Sequence, residues 1–148
     1  MSTRARNGLP DEVSAATLSR KQLAERVRRG ESLAEADLRG LDLSGFCFDG
    51  CDLTHAKLAE ANLVGCSFRS ANLTGASLWQ ADLRDANFTS AILDDADMDM
   101  AELDGATLLR ARVRRALFPL DRLPMERIQE SIRTGRRLVM DRAAAGER

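Results

Sequence analysis

Three cysteines and the only histidine of this 148-residue chain lie within twenty residues of one another, and both residue types bind zinc. Cys47, Cys51 and His55 follow at intervals of four residues, and Cys66 comes eleven residues after His55. Thiolate and imidazole are the usual ligands of a structural zinc site, which needs four of them around one ion. Whether these side chains can meet depends on the element that carries them.

A repeat of five residues runs through the same region. Every fifth residue from Leu38 to Phe118 is large and apolar, and the residue two positions before it is alanine or cysteine in all but two repeats. The two exceptions are Leu41 and Phe46. A period of five fits neither a helix (3.6) nor a strand (2.0), whereas a short fixed repeat is typical of solenoids.

The pattern Ala-(Asp/Asn)-Leu followed by two variable residues resembles the pentapeptide-repeat family. Clear copies occur at residues 36–40, 61–65, 71–75 and 81–85. The resemblance implies a right-handed β-helix of square cross-section, in which each repeat forms one side and four repeats form one coil. We therefore expect an all-β solenoid, a right-handed quadrilateral β-helix of about four coils, over residues 36–118.

The phenylalanines support a four-sided coil independently of the resemblance. Phe48, Phe68 and Phe88 occupy the large position at intervals of twenty residues, which is four repeats. Coils stacked at the usual strand spacing of about 4.8 Å would place the three rings in one column. Leu41 and Phe46 lie in the first coil, where larger side chains can close the end of the core.

This repeat frame argues against a zinc site. Cys51 and Cys66 take the small inward position that alanine fills elsewhere, whereas Cys47 stands at the outward second position and His55 at a corner. The four side chains cannot converge on one ion without breaking a coil. We expect no metal and no cofactor, and free cysteines that behave as small apolar residues.

Catalytic residues are equally scarce. No nucleophile–base arrangement and no glycine-rich phosphate loop is readable, and carboxylates on a convex rod lack the cleft that raises a pKa. We therefore expect no enzymatic activity. The sequence also lacks an apolar run of eighteen residues and an apolar stretch near its start, so we expect a cytoplasmic protein with reduced thiols and no membrane span.

Short helices are predicted to cap the solenoid, because its ends would otherwise expose the core. Residues 1–17 lack periodicity and are expected to be a flexible segment. Residues 18–35 are predicted to hold a capping helix that begins at Ser19, with Gln22 completing a capping box, and stops near Gly30.

Residues 119–148 are predicted to be a C-terminal helical cap or a dimerisation segment. Four apolar residues in this stretch fall at helical spacing on one face: Met125, Ile128, Ile132 and Val139. The face can cover the last coil or pack on a second copy of the chain, which would give a homodimer. The pattern leaves both roles open.

Charge is unevenly distributed although the net charge is only −1. Residues 36–109 carry thirteen acidic and four basic side chains, whereas residues 110–148 carry eleven arginines and five acidic side chains. The densest acidic run, here called the acidic ridge, comprises Asp94, Asp95, Asp97, Asp99, Glu102 and Asp104. The ridge either solvates the rod, meets a basic partner, or is neutralised by the arginines that follow it.

Trp79 is the second candidate for a contact, because it follows the inward Leu78 and tryptophan is enriched at binding hot spots. We expect a non-enzymatic scaffold that binds a protein partner through Trp79 and the acidic ridge, as an adaptor or as a component of a bacterial effector system. The rod is acidic and no aromatic platform accompanies the arginines, so we do not expect binding to nucleic acid.

The alternative function comes from a narrower resemblance. The quinolone-resistance pentapeptide proteins are acidic β-helical DNA mimics that bind gyrase and dimerise through a C-terminal helix. The acidic rod and the C-terminal amphipathic segment of this chain are similar to theirs. The resemblance implies a DNA mimic that binds a type II topoisomerase and protects or inhibits it.

Overall fold

The computed structural model describes residues 18–142, in which a short α-helix lies at each end of a region of regular coils. Helix α1 spans Arg20–Arg28 and helix α2 spans Met125–Thr134. The flexible segment predicted over residues 1–17 lies outside the described residues.

Thirteen parallel β-bridges join the coils, and each connects two residues that are twenty positions apart. The first joins Asp37 to Lys57 and the last joins Asp97 to Leu117. A constant separation of twenty means that four pentapeptides complete one turn of the chain, so that every fourth repeat stacks on the same side. Each bridge is one residue long because the chain turns after every five residues.

The core is a set of stacked apolar columns, as the repeat predicts. Phe48, Phe68 and Phe88 are fully buried, and their ring centroids are 5.2 and 5.0 Å apart along the stack. The planes of neighbouring rings are within 6° of parallel. Phe46 is also buried and lies 4.6 Å from Phe48, at the end of the core where larger side chains were expected.

Every corner of the coil requires a left-handed residue, which the sequence pattern did not reveal. At every fifth position from Glu35 to Arg115, φ lies between 55° and 80°. Glycine occupies six of these positions and other residues occupy eleven, each of which costs roughly 1 kcal/mol of backbone strain. The next N–H closes the turn, as where Ala36 donates to the carbonyl of Leu33 at 3.1 Å.

The aspartate or asparagine of the repeat has a structural role besides solvation. Its side-chain oxygen accepts a hydrogen bond from the N–H two residues later, at 3.0 to 3.3 Å. Eight residues make this bond: Asp37, Asp42, Asp52, Asn62, Asn72, Asp82, Asn87 and Asp97. The bond satisfies an N–H that the sharp corner leaves without a backbone partner.

The N-terminal helix begins with the predicted capping box. Ser19 Oγ accepts from the N–H of Gln22 at 3.1 Å, and the N–H of Ser19 donates to Gln22 Oε1 at 2.9 Å. The helix is shorter than the predicted segment 18–35, because coil pairing already begins where the N–H of Leu33 donates to the carbonyl of Asp52 at 2.9 Å. Leu23 of α1 is fully buried against the first coil.

The C-terminal segment completes the last coil by hydrogen bonding. The N–H of Arg110 donates to the carbonyl of Ile132 at 2.8 Å, and the N–H of Leu108 donates to Ser131 Oγ at 2.9 Å. Beyond α2, the carbonyl of Leu138 accepts a hydrogen bond from the N–H of Gly105 at 2.8 Å. These groups would otherwise lack partners, so the segment supplies the hydrogen bonds that another repeat would supply.

The prediction that Val139 shares a helix face with Ile128 was wrong. Helix α2 ends at Thr134 because Gly135 adopts φ 80°, the left-handed conformation that stops a helix. Val139 lies beyond the helix in extended chain and is exposed, whereas Ile128 is fully buried.

Replacing Phe68 by alanine should lower the free energy of unfolding by about 3–5 kcal/mol, because the stack loses its middle ring and a cavity remains. Urea denaturation followed by circular dichroism measures the loss. Trp79→Ala is the control, since this side chain lies at the surface and its loss should cost less than about 1 kcal/mol. Equal effects of the two substitutions would contradict the ring stack.

Replacing Ser131 by alanine should cost about 1–3 kcal/mol, because the buried N–H of Leu108 then has no acceptor. The same denaturation experiment measures it. Thr134→Ala is the matched control, because the Thr134 hydroxyl donates to the carbonyl of Glu130 on the exposed side of α2. If Ser131→Ala lowers the free energy of unfolding no more than Thr134→Ala does, the Ser131 hydroxyl does not complete the last coil.

Candidate protein-interaction surface

The coil separates the residues of the acidic ridge, because the eleven residues from Asp94 to Asp104 extend over three successive sides of the rod. The six carboxylates fall in pairs on three successive sides: Asp94 with Asp95, Asp97 with Asp99, and Glu102 with Asp104. The structure therefore brings only the middle pair onto the side that carries Trp79. The predicted ridge is not one continuous surface.

Asp94 serves the fold. Its side chain is buried, accepts from Arg112 Nε at 2.8 Å and accepts from the N–H of Arg114 at 3.0 Å. Arg112 stands at the position where eight repeats carry aspartate or asparagine, so the N–H of Arg114 would otherwise lack an acceptor. Asp94, from the coil before, supplies it.

Three further carboxylates of the ridge are also occupied within the molecule. Arg115 donates to both oxygens of Asp95, at 2.7 and 2.9 Å, and thereby holds the pKa of that carboxyl below its usual range. Arg122 pairs with Glu102 at 2.8 Å. Asp104 accepts from the N–H of Met140 at 2.7 Å. The arginines that follow the ridge thus neutralise much of it.

The remaining pair, Asp97 and Asp99, lacks an arginine partner. Asp97 Oδ1 accepts from the N–H of Asp99 at 3.0 Å, which is the usual bond of the repeat. Between residues 18 and 142, no arginine or lysine forms an ion pair with either side chain. Their charge is therefore available to a partner.

One side of the rod, the Trp79 side, is formed by the stacked repeats 36–40, 56–60, 76–80, 96–100 and 116–120. Six large apolar residues of the described chain are exposed: Trp79, Met100, Leu117, Leu120, Met125 and Val139. Trp79, Met100 and Leu117 lie on the Trp79 side with 39% to 56% of each exposed, and Leu120 follows where the last coil ends. The other three sides carry none of the six.

Sequence reasoning found Trp79 but missed Met100 and Leu117. The sequence does indicate that both residues lie near the Asp97–Asp99 pair, because Leu117 is twenty residues after Asp97 and Met100 directly follows Asp99. Writing the sequence in rows of twenty places these residues in neighbouring columns. Reading the ridge as a linear segment hid this relation.

The four residues predicted for oligomerisation do not form one surface. Ile128 is fully buried and Ile132 is partly buried against the core, so both belong to the cover of the last coil. Met125 and Val139 are exposed. The homodimer stays a prediction, for which these two residues are the accessible candidates.

The cysteines do not assemble a metal site. Cys47 is exposed, Cys51 is half-buried and Cys66 is buried, with its thiol donating to the carbonyl of Leu43 at 3.0 Å. Burial raises the pKa of both Cys51 and Cys66 to about 11. Within the described residues, no group of three or more histidine, cysteine or acidic side chains is placed to hold a metal ion.

A family model for pentapeptide repeats matches this chain with eight copies, at residues 29–54, 51–89, 71–110 and 81–118. The chain belongs to the pentapeptide-repeat family. Members of this family are right-handed quadrilateral β-helices, and the twenty-residue pairing described above is that of a four-sided coil. No curated protein is similar enough to count as a match.

Solved structures of other pentapeptide-repeat proteins are similar to this one. A protein from Nostoc PCC 7120 is 36% identical, with 66% of this chain and 83% of that chain covered and a TM-score of 0.64. A protein from the thylakoid lumen of Arabidopsis thaliana is 34% identical, with a TM-score of 0.54. In that pair 55% of this chain is covered, and the match spans only 56% of the Arabidopsis chain.

QnrB1, a plasmid-mediated fluoroquinolone resistance protein, is 19% identical. The match covers 60% of this chain and 54% of that chain with a TM-score of 0.40, which supports no functional argument. Among residues 18–142 of this pentapeptide-repeat protein, no helix is both long and apolar enough to cross a membrane.

Iodoacetamide at pH 8 should label Cys47 at least tenfold faster than Cys51 or Cys66. The thiolate is the reactive form, and a thiol with a pKa of about 11 stays protonated until the pH approaches that value. Peptide mass spectrometry over time measures the three rates, and Cys47→Ser should remove the fast label. Similar rates at all three cysteines would contradict the inward positions of Cys51 and Cys66.

Proposed function

We propose that this pentapeptide-repeat protein is a non-enzymatic scaffold of about four coils, capped by α1 and α2, that binds a protein partner through its Trp79 side. The observation that supports this most directly is the placement of Trp79, Met100 and Leu117 on one side of the rod. Exposed apolar residues are ordinary when scattered, but several on one face favour an interface.

The construction of the rod suits such a role. Backbone hydrogen bonds between coils fix the outward side chains in columns, in which successive side chains are about 4.8 Å apart, so a partner meets a surface that is already ordered. A preordered surface needs no pocket, which agrees with the convex shape of a solenoid. Tryptophan at the centre of such a surface is a typical hot spot.

One cavity of the described residues gives no support to acid–base catalysis. It measures about 520 Å³ and lies between α1 and the first coil, where Val27, Phe46 and Cys47 are among its lining residues. Its lining contains no histidine or carboxylate that could act as a base. Arg20 at its edge already donates to the carbonyls of Asp42 and Ser44, at 3.1 and 3.0 Å.

We do not propose the DNA-mimic alternative. A mimic of nucleic acid needs a continuous array of free carboxylates, whereas Asp94, Asp95 and Glu102 are paired with arginines. The same pairs occupy Arg112, Arg115 and Arg122, so these arginines are also poorly placed to bind phosphates.

Affinity capture from the cells that produce the protein tests the proposal. Trp79→Ser combined with Leu117→Ser should reduce the recovered partner at least tenfold, because both substitutions remove exposed apolar contacts. Met125→Ser combined with Val139→Ser is the matched control, since these residues are equally apolar and exposed but lie off the Trp79 side. Quantitative mass spectrometry compares the three samples.

Thermal denaturation is the control for folding, and we expect a cooperative transition for both double variants. A partner that is recovered equally with the wild-type protein and the Trp79→Ser, Leu117→Ser variant would refute the Trp79 side as the interface. Equal loss with both double variants would do the same.

A further inference from the structure

We infer that the partner presents an arginine flanked by apolar side chains, and that this arginine binds between Trp79 and the Asp97–Asp99 pair. The inference rests on the proposed function, because it names the chemistry of the partner at the Trp79 side. It follows from the charge of the surface, from the spacing of its columns and from the apolar residues around it.

Trp79 and Asp99 are neighbours on adjacent coils. The N–H of Gln80 donates to the carbonyl of Asp99 at 3.1 Å, which fixes the two backbones side by side. Their side chains leave the rod from the same column, about 4.8 Å apart at the backbone. A planar guanidinium of a partner can stack on the indole and donate to the carboxylate at the same time.

The chain leaves this acidic pair without an ion-pair partner, whereas arginines neutralise several other aspartates. Arg39 forms an ion pair with Asp37 at 2.7 Å, and Arg84 forms one with Asp82 at 2.6 Å. Asp94 and Asp95 also form ion pairs with arginines. In the stacked repeats 76–80 and 96–100, the Trp79 side contains two aspartates and no basic residue. A cationic group of a partner would complement this charge.

Apolar side chains surround the two carboxylates. Met100 follows Asp99 directly, and Leu117 is bridged to Asp97 from the next coil. A partner that covers Met100 and Leu117 would exclude water from the carboxylates, which strengthens their attraction for a cation. Arginine suits this setting better than lysine, because guanidinium is more weakly hydrated and donates through a planar fork.

Fluorescence anisotropy with labelled peptides tests the inference on the full chain. The probe is Gly-Ser-Leu-Leu-Arg-Leu-Leu-Ser-Gly, and the comparison peptides carry lysine, glutamine or glutamate at the centre. At low salt, we expect the arginine peptide to bind about tenfold more tightly than the glutamate peptide, and the preference to shrink as salt is added. The lysine peptide should fall between them.

Asp97→Asn combined with Asp99→Asn should reduce the preference for arginine to less than about twofold. Asparagine at position 97 still offers an oxygen to the N–H of residue 99, so the corner is retained. Asp52→Asn is the matched control, because Asp52 occupies the same repeat position on another side and should leave the preference unchanged.

The outcomes separate the inference from the proposed function. Equal binding of the arginine and glutamate peptides, both weakened by Trp79→Ser with Leu117→Ser, would overturn the inference and leave the interface in place. Failure of every peptide to bind at millimolar concentration would also overturn it. The proposed function is tested separately, because it falls if the cellular partner is retained by that double variant or is lost equally with the Met125→Ser, Val139→Ser control.

Discussion

The hydrogen-bonded register between coils is the constraint on which the rest of the structure depends. Repeats that are twenty residues apart are joined by backbone hydrogen bonds. The N–H of Leu38 donates to the carbonyl of Lys57, and the N–H of Lys57 donates to the carbonyl of Ala36, both at 2.8 Å. A slip of one residue would turn every inward side chain outward, so the apolar columns and the backbone bonds enforce the same alignment. Once the register is fixed, the position of each side chain on the rod follows from its number alone.

The same register explains why a linear reading of the sequence misjudged the surface. Residues that are adjacent in the chain diverge at every corner, whereas residues twenty apart become neighbours. Asp94 and Glu102 are eight positions apart and lie on different sides, while Trp79 and Asp99 share one column. A surface on a solenoid is therefore formed by residues from several stacked repeats, and clusters of charge along the chain do not predict it well.

Much of the fold could be predicted, because a period of five and a spacing of twenty between Phe48 and Phe68 leave few alternatives. The capping box at Ser19 was equally readable, since its two bonds are local. The end of α2 was not, because Gly135 fits either a bend or a stop. The arginine partners of Asp94 and Asp95 could not be read from the linear sequence, because eighteen and twenty residues separate Arg112 and Arg115 from them.

Leu117 shows how a solenoid can expose an apolar side chain without weakening its coils. In eight repeats the second position holds aspartate or asparagine, which accepts the N–H two residues later. At Leu117 the residue two positions later is Pro119, which has no N–H to satisfy. A leucine there leaves no buried donor unpaired, and this position can present an apolar side chain to solvent. Asp97, one coil below, keeps the corner bond with one oxygen and still offers its charge. The fold and the proposed interface thus draw on different atoms of these residues, so that neither Leu117 nor Asp97 weakens the coil by serving the proposed interface.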